Sequence, residues 1–194
     1  MVSSVEQFPH IVTEKIMLRK IEESDLEKLF EIYSNKNIFK YIPGDIIKNK
    51  TTVLNMIGHF ERDFKKGKTL FLGIFLTEAP DELVGVAEIF DFDNKVNMVT
   101  IGYRINENYW HRGFATETVG AMVDYLFRMM GMNRIQAFVM PENKHSHRVL
   151  LKNKFDCEGV MRQAQYWKGR GVVDVAVYSL LCSDMNANEF NPDC

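Results

Sequence analysis

The chain has 194 residues, of which 46% are hydrophobic and 26% are charged, so it fits one globular domain with a sizeable core. The net charge is −2 and no basic block stands out, so binding to nucleic acid is not expected as the main activity. No apolar run approaches the ~20 residues of a membrane span, and the N-terminus lacks a signal-peptide core. These features predict a cytoplasmic protein with no membrane partner, one domain over 1–194, a core at 11–181 and a polar tail at 183–194.

The first half of the chain predicts one strand, two helices and a three-stranded meander. Residues 11–21 alternate as a strand, with Ile16 and Leu18 on one face. Ser24 is expected to begin the first helix, with Glu27 completing a capping box. A second helix is expected over 51–66, and the three strands over 69–76, 83–92 and 96–105.

The second half predicts a helix over 114–130, a strand over 133–140, a helix over 144–153 and a final hairpin of 159–167 and 172–181. The whole order indicates an α/β (α+β) domain whose mixed sheet has about seven strands and helices on both faces. The strand–helix–strand unit from 98 to 140 is expected to be parallel. The three scattered cysteines form no metal-ligand motif, so no metal site is predicted.

The most informative stretch is residues 101–118, IGYRINENYWHRGFATET. A strand ends, a small-residue turn follows, and a helix then begins at about Phe114. The first amides of a helix have no partner within it, and the helix dipole is positive at that end. Such a turn is typical of a site for a phosphate or pyrophosphate. Gly113 and Ala115 would let the backbone approach the ligand, and His111 and Arg112 would add polar groups.

The element order and four sequence blocks resemble the GNAT superfamily of acyl-CoA-dependent N-acetyltransferases, and within it the ribosomal-protein N-terminal acetyltransferases. The turn matches the family's Gln/Arg-x-x-Gly-x-Gly/Ala segment as Trp110-His111-Arg112-Gly113-Phe114-Ala115. The four blocks are TEKIMLR at 13–19, IGYRINENYWHRGFATE at 101–117, PENKHS at 141–146 and DVAVYSL at 174–180. The likeness spans residues 11–181 and implies a single-domain GNAT fold.

The sequence departs from the family pattern at three positions. The first residue of the turn is Trp110 instead of Gln or Arg. The helix position that often carries a tyrosine acid is Leu150, and the usual glycine before Phe155 is Lys154. Ser146 is therefore the nearest substitute for the missing hydroxyl.

The resemblance implies transfer of an acetyl group from acetyl-CoA directly to a primary amine. The strand backbone at Tyr103 and Ile105 is expected to hold the pantetheine arm, and Asn143 to contact the same arm or only to cap its helix. Ser146 is expected to protonate the departing thiolate, although it also fits a surface serine. The remaining residues expected at the phosphates are His111, Arg112, Gly113, Phe114, Ala115 and Thr116.

Glu88 is the candidate general base for the amine. It lies in the otherwise apolar strand LVGVAEIF and would face the acceptor side of the slot. A carboxylate on a half-buried sheet face can take a proton near neutral pH, although an ordinary outward-facing strand residue is equally compatible with the pattern. His145 and His147 are expected on a solvated helix surface.

The acceptor itself is not readable from the sequence. The resemblance favours the N-terminal amine of a protein such as a ribosomal protein, while a polyamine or an aminoglycoside-like amine stays open. A non-catalytic acyl-CoA sensor is the competing class, and related folds suggest a homodimer. Four aromatic residues either border the acceptor cleft or belong to the core: Phe39, Tyr41, Tyr166 and Trp167.

Overall fold

A computed structural model describes residues 7–185 of the chain. Four helices lie within that range: α1 (Leu26–Ser34), α2 (Lys50–Lys65), α3 (Phe114–Arg128) and α4 (Lys144–Lys152). Eight strands accompany them: β1 (Ile11–Val12), β2 (Ile16–Arg19), β3 (Leu70–Leu76), β4 (Leu83–Asp93), β5 (Met98–Ile105), β6 (Arg134–Val139), β7 (Asp156–Trp167) and β8 (Gly171–Leu181).

All eight strands form one sheet in the order β1-β2-β3-β4-β5-β6-β8-β7. Every neighbouring pair is antiparallel except β5 and β6, which are parallel as expected for a strand–helix–strand unit. The mixed sheet and the meander β3-β4-β5 confirm the sequence-based architecture.

The sheet has eight strands instead of about seven because the first predicted strand is interrupted. Thr13 and Lys15 lie in the turn between β1 and β2, and both bind Glu117 at the start of α3. The Glu117 carboxylate accepts from the hydroxyl of Thr13 (2.6 Å) and from the amide of Lys15 (2.8 Å). These hydrogen bonds hold residues 11–19 as a hairpin and attach that hairpin to the first turn of α3.

The entry into α1 also differs from the prediction. Glu22 and Asp25 form the capping box, since the amide of Glu22 donates to the Asp25 carboxylate at 2.8 Å. A one-turn 3-10 helix at Glu23–Asp25 precedes α1, so Ser24 is inside that turn and is not the cap.

Two hydrophobic layers cover the sheet, one on each face. Helices α3 and α4 pack on one face, with Val119, Met122 and Leu126 fully buried at helical spacing. Helices α1 and α2 cover the β3-β4 region of the other face through Leu29 and Val53. Because adjacent residues of a strand point to opposite faces, β3 and β4 supply both layers, whereas the hydrophobic residues of β5 pack in the layer under α3 and α4.

Candidate active site

Strands β5 and β6 diverge after a short paired segment. Register is kept only from Met98 to Thr100 against 134–136, although β5 continues to Ile105 and β6 to Val139. The amide of Asn106 donates to Val84 on β4 (2.8 Å), and backbone groups alternate sides along an antiparallel pair. The backbone groups of Tyr103 and Ile105 therefore face the gap and not β4. The described strands form a slot, where the sequence predicted one, lined by main-chain groups that no neighbouring strand pairs; the carbonyl of Ile105 accepts from the Trp110 indole.

The turn before α3 presents the expected donors. The first helical hydrogen bond runs from the amide of Glu117 to Gly113 (3.1 Å), so the amides of 114–116 have no acceptor among residues 7–185. Gly113 has φ +88°, a left-handed conformation that side chains rarely adopt, and a Cβ built there would meet nothing within 4 Å. His111 has φ 63°. The backbone thus turns sharply around an open space in front of the helix.

The side chains of the turn divide between packing and exposure. Phe114 packs on Tyr109, with ring centroids 6.2 Å apart, so Phe114 offers the open space only its amide. Arg112 lies over the same tyrosine, 5.2 Å from the ring centroid. The indole of Trp110 donates to the carbonyl of Ile105 at 2.8 Å. Trp110 therefore fixes the turn to the end of β5 instead of reaching toward a phosphate.

Three predicted residues meet where α4 begins. Asn143 caps the helix by accepting from the amide of Ser146 (3.3 Å), and its own amide group donates to Ser146 Oγ (3.0 Å). From the strand, the phenol of Tyr103 donates to the same Oγ at 3.2 Å. Burial raises the pKa of Tyr103 to about 12. His111 and His145 lie edge to face at 5.3 Å, so this group adjoins the turn.

The rest of α4 explains two departures and corrects one expectation. Leu150 is 1% exposed in the core, so its position offers no hydroxyl, and Lys154 has the φ of 65° that glycine would favour. His145 is exposed as expected, but His147 is not on a solvated surface. His147 Nε2 lies 3.1 Å from the carbonyl of Met140 and its Nδ1 lies 2.7 Å from the Tyr178 phenol. This bridge holds α4 against the sheet.

The opposite face of the slot carries a largely buried ion pair. The guanidinium of Arg104 contacts the carboxylate of Glu88, with the side chains 10% and 15% exposed. The rings of Tyr33 and Phe39 lie 4.7 and 5.6 Å from the Arg104 guanidinium carbon. Burial disfavours the charged guanidinium, but Glu88 outweighs it and raises the pKa of Arg104. The Tyr33 phenol and Arg104 Nε are buried without a hydrogen-bond partner in the described structure.

The two candidate catalytic groups therefore lie on opposite sides of the sheet. Tyr103 points toward Ser146 on α4, whereas its neighbour Arg104 points toward α1, as strand alternation requires. Glu88 lies opposite Gly102, just beyond the last paired residues of β5 and β6. Hence the structure brings Tyr103, Asn143 and Ser146 together but separates them from Glu88.

The last hairpin packs against the 38–41 segment. Tyr41 packs with Trp167 and Met140 in a small cluster, and Arg170 donates to the carbonyl of Lys40. Phe39 faces Arg104, while Tyr166 is 75% exposed. Phe39, Tyr41 and Trp167 therefore lie where the 38–41 segment meets the sheet and the hairpin. Tyr166 is instead exposed to solvent.

A second contact, from the end of β5, fixes the residues just before the 38–41 segment. The carboxylate of Glu107 accepts from the side-chain amides of Asn35 (2.9 Å) and Asn37 (2.8 Å). Since Glu107 follows β5 directly, the end of α1 is held beside the end of the slot.

Sequence reasoning missed three contributions to the site. It used Tyr103 only for its backbone, it did not pair Arg104 with Glu88, and it treated Trp110 only as a lost contact. The strand period would have placed the side chains of residues 103 and 104 on opposite faces, but it does not identify their partners. Within residues 7–185, no His, Cys, Asp or Glu cluster is arranged to hold a metal ion, and no helix is long and apolar enough to cross a bilayer.

Known proteins resemble this chain in sequence and in fold. The model of the acetyltransferase (GNAT) domain matches residues 15–156. The chain is 32% identical over 174 residues to an uncharacterized N-acetyltransferase, YoaA of Bacillus subtilis, covering 90% of this chain and 97% of YoaA. It is 27% identical over 164 residues to the [ribosomal protein uS5]-alanine N-acetyltransferase of Escherichia coli, covering 77% and 79%.

Among solved structures, RimL, a ribosomal L7/L12 alpha-N-protein acetyltransferase in complex with coenzyme A, superposes with a TM-score of 0.79. The match has 21% identity and covers 89% of this chain and 98% of RimL, so it supports the fold. The open turn and the strand backbone that β6 leaves unpaired fit the pyrophosphate and the amide-bearing arm of such a ligand. The chain belongs to the GNAT acetyltransferases, enzymes that use acetyl-CoA as co-substrate.

Proposed function

We propose that this enzyme transfers the acetyl group of acetyl-CoA to the N-terminal amine of a protein such as a ribosomal protein. The observation that carries the proposal is the two-sided slot. A hydroxyl held by two donors lies on one face, a carboxylate lies on the other, and helix amides without an acceptor lie at the slot's end. The E. coli relative named for ribosomal protein uS5 supports the choice of acceptor.

The chain has a continuous surface for the co-substrate. The amides of 114–116, with Arg112, Gly113 and His111 around them, would hold the pyrophosphate at the positive end of α3. The main-chain groups of Tyr103 and Ile105 would pair with the pantetheine arm, and Asn143 would contact that arm from α4. Bound there, acetyl-CoA supplies an activated acyl group.

The amine then attacks the thioester directly. An N-terminal amine has a pKa of roughly 8, so a useful fraction is neutral at physiological pH. Alignment of the two reactants in the slot can supply up to ~7–11 kcal/mol of the barrier. The amine nitrogen loses one proton and the sulfur gains one, so the reaction is balanced without an added acid or base.

Two side chains assist the reaction. Ser146 would donate a hydrogen bond to the departing sulfur and so stabilise its negative charge until it is protonated. Glu88 would receive the proton of the amine from the other face, with Arg104 holding the carboxylate in place. The carboxylate is partly exposed and borders the slot, so a proton it receives can leave to water.

A panel of acceptors tests the proposed function. Purified enzyme is incubated with acetyl-CoA and peptides that begin with alanine or serine, and thiol release is followed. The same peptides with a blocked N-terminus are the matched control, and spermidine and an aminoglycoside represent small amines. We expect release only with the free peptides.

Faster release with a small amine would overturn the peptide assignment. Binding of acetyl-CoA with no turnover on any amine would favour the sensor alternative. The homodimer and the cytoplasmic location stay predictions from the sequence.

A further inference from the structure

We propose that Tyr103 is a positioning residue for acetyl transfer, which aims the hydroxyl of Ser146 at the departing sulfur. The proposal rests on the proposed function, because it assigns a role within the same slot. It uses the side chain of a strand residue whose backbone faces the co-substrate.

The hydrogen bonds around Ser146 define the direction of its hydroxyl. A serine oxygen has two acceptor sites and one hydrogen. The phenol of Tyr103 (3.2 Å) and the side-chain amide of Asn143 (3.0 Å) both donate to Ser146 Oγ. With both acceptor sites filled, the hydroxyl hydrogen points away from Tyr103 and Asn143. That hydrogen is therefore left to bind a ligand.

The free hydrogen lies at the slot. Tyr103 is on β5 beyond the last residue paired with β6, and Ser146 is in the first turn of the helix that follows β6. The Tyr103–Ser146 bond therefore crosses the gap between the two diverging elements. A thioester arm that runs along residues 103–105 would bring its sulfur to this crossing.

The surroundings suit a developing anion. A hydrogen bond to a charged partner is stronger than one between neutral groups, and donors that feed one hydroxyl polarise it further. Because burial raises the pKa of Tyr103 to about 12, the phenol keeps its proton at working pH and stays a donor.

The arrangement also accounts for Leu150. That position lies in the core and carries no hydroxyl, whereas a phenol reaches Ser146 from the strand. In the reaction the C–N bond forms and the C–S bond breaks, with its electron pair going to sulfur. Ser146 and Tyr103 stabilise that charge through hydrogen bonds and leave unchanged, and the proton lost by the amine reaches the sulfur through solvent.

The test combines kinetics with a spectroscopic titration. The variants are Tyr103→Phe, Ser146→Ala and the double variant, with Tyr125→Phe on α3 as the matched control. We expect Tyr103→Phe to lower kcat about 3- to 10-fold and Ser146→Ala about 10- to 100-fold, with the KM for acetyl-CoA nearly unchanged. The double variant should be no slower than Ser146→Ala, since Tyr103 acts only through Ser146.

The spectroscopic readout is the pKa of the thiol of bound CoA, followed by the ultraviolet absorbance of the thiolate. A hydrogen bond to the thiolate lowers that pKa, so both single variants should raise it and Tyr125→Phe should not. A merely structural tyrosine would leave this value unchanged.

Two results would overturn the proposal. One is an unchanged pKa of the bound thiol in Tyr103→Phe. The other is a double variant in which Tyr103→Phe slows the Ser146→Ala enzyme as much as it slows the wild type. If Tyr103→Phe does not fold, Tyr103→Leu is titrated in its place. Should wild-type enzyme bind CoA but acetylate no amine, the proposed function fails while the thiol titration still decides the role of Tyr103.

Discussion

Gly113 offers the sharpest perturbation of the turn proposed to bind the phosphates. Its φ of +88° makes any side chain strained, but a Cβ there would meet no atom within 4 Å. Replacement by alanine should therefore cost only the left-handed strain of about 1–2 kcal/mol in folding. The added methyl group would occupy the open space in front of α3, where the phosphates are expected.

The expected loss of binding is larger than the loss of stability. Each hydrogen bond from an amide to a phosphate is worth about 1.5–3 kcal/mol, so displacing one lowers affinity roughly 10- to 100-fold. Gly113→Glu adds a negative charge at the helix N-terminus, which would compete with the phosphates for the same amides. We expect Gly113→Glu to abolish detectable binding.

The assay is calorimetric titration with acetyl-CoA, paired with thermal unfolding of each variant. Gly131→Ala is the matched control, because Gly131 has φ +61° and also has open space at its Cβ. The control should lose similar stability and keep full affinity. Binding by Gly113→Glu at the wild-type affinity would refute the placement of the site.

Two further predictions concern ion pairs. Arg104→Gln leaves the largely buried Glu88 without its partner and should lower the free energy of unfolding in urea by up to about 3 kcal/mol, with part recovered by adding Glu88→Gln. No loss would contradict the pairing. Hydrogen bonds from Arg134 lower the pKa of Glu158 from 4.5 to about 2, so its stabilisation is complete above 4.5 and lost as the pH falls through 2. Glu158→Gln should then cost about 1 kcal/mol at pH 7, since the carboxylate is 44% exposed, and almost nothing near pH 2. An equal loss of unfolding free energy at pH 7 and near pH 2 would refute the role of the Glu158 carboxylate. Asp156→Asn is the control.

The parts of the structure that were predicted correctly depend on local signals. The turn at 110–116 was recognisable because a strand period, a glycine and a helical period follow one another within a few residues. The parallel unit and the meander followed from the order and spacing of the elements. Sequence patterns were sufficient to predict the structure where a segment's own residues determine its conformation.

The errors involve partners far apart along the chain. The break between β1 and β2 depends on Glu117, which lies 104 residues from Thr13. Tyr103 and Ser146 are 43 residues apart, and no periodicity joins them. His147 looked like a surface residue because its partners, Met140 and Tyr178, come from the end of β6 and from β8.

The loss of the usual first residue of the turn has a local explanation. Trp110 binds the carbonyl of Ile105, so it stiffens the junction between β5 and the turn. The proposed phosphate site would then depend on backbone amides and on Arg112. That dependence makes the geometry at Gly113 the critical feature of the site.

Calorimetric titration of the wild-type protein with acetyl-CoA, with CoA and ATP as comparisons, tests the central claim most directly. The slot and the turn together predict stoichiometric binding of acetyl-CoA and CoA and none of ATP, since ATP has no arm to pair with residues 103–105. Equal binding of ATP, or no binding of acetyl-CoA, would contradict the site described here.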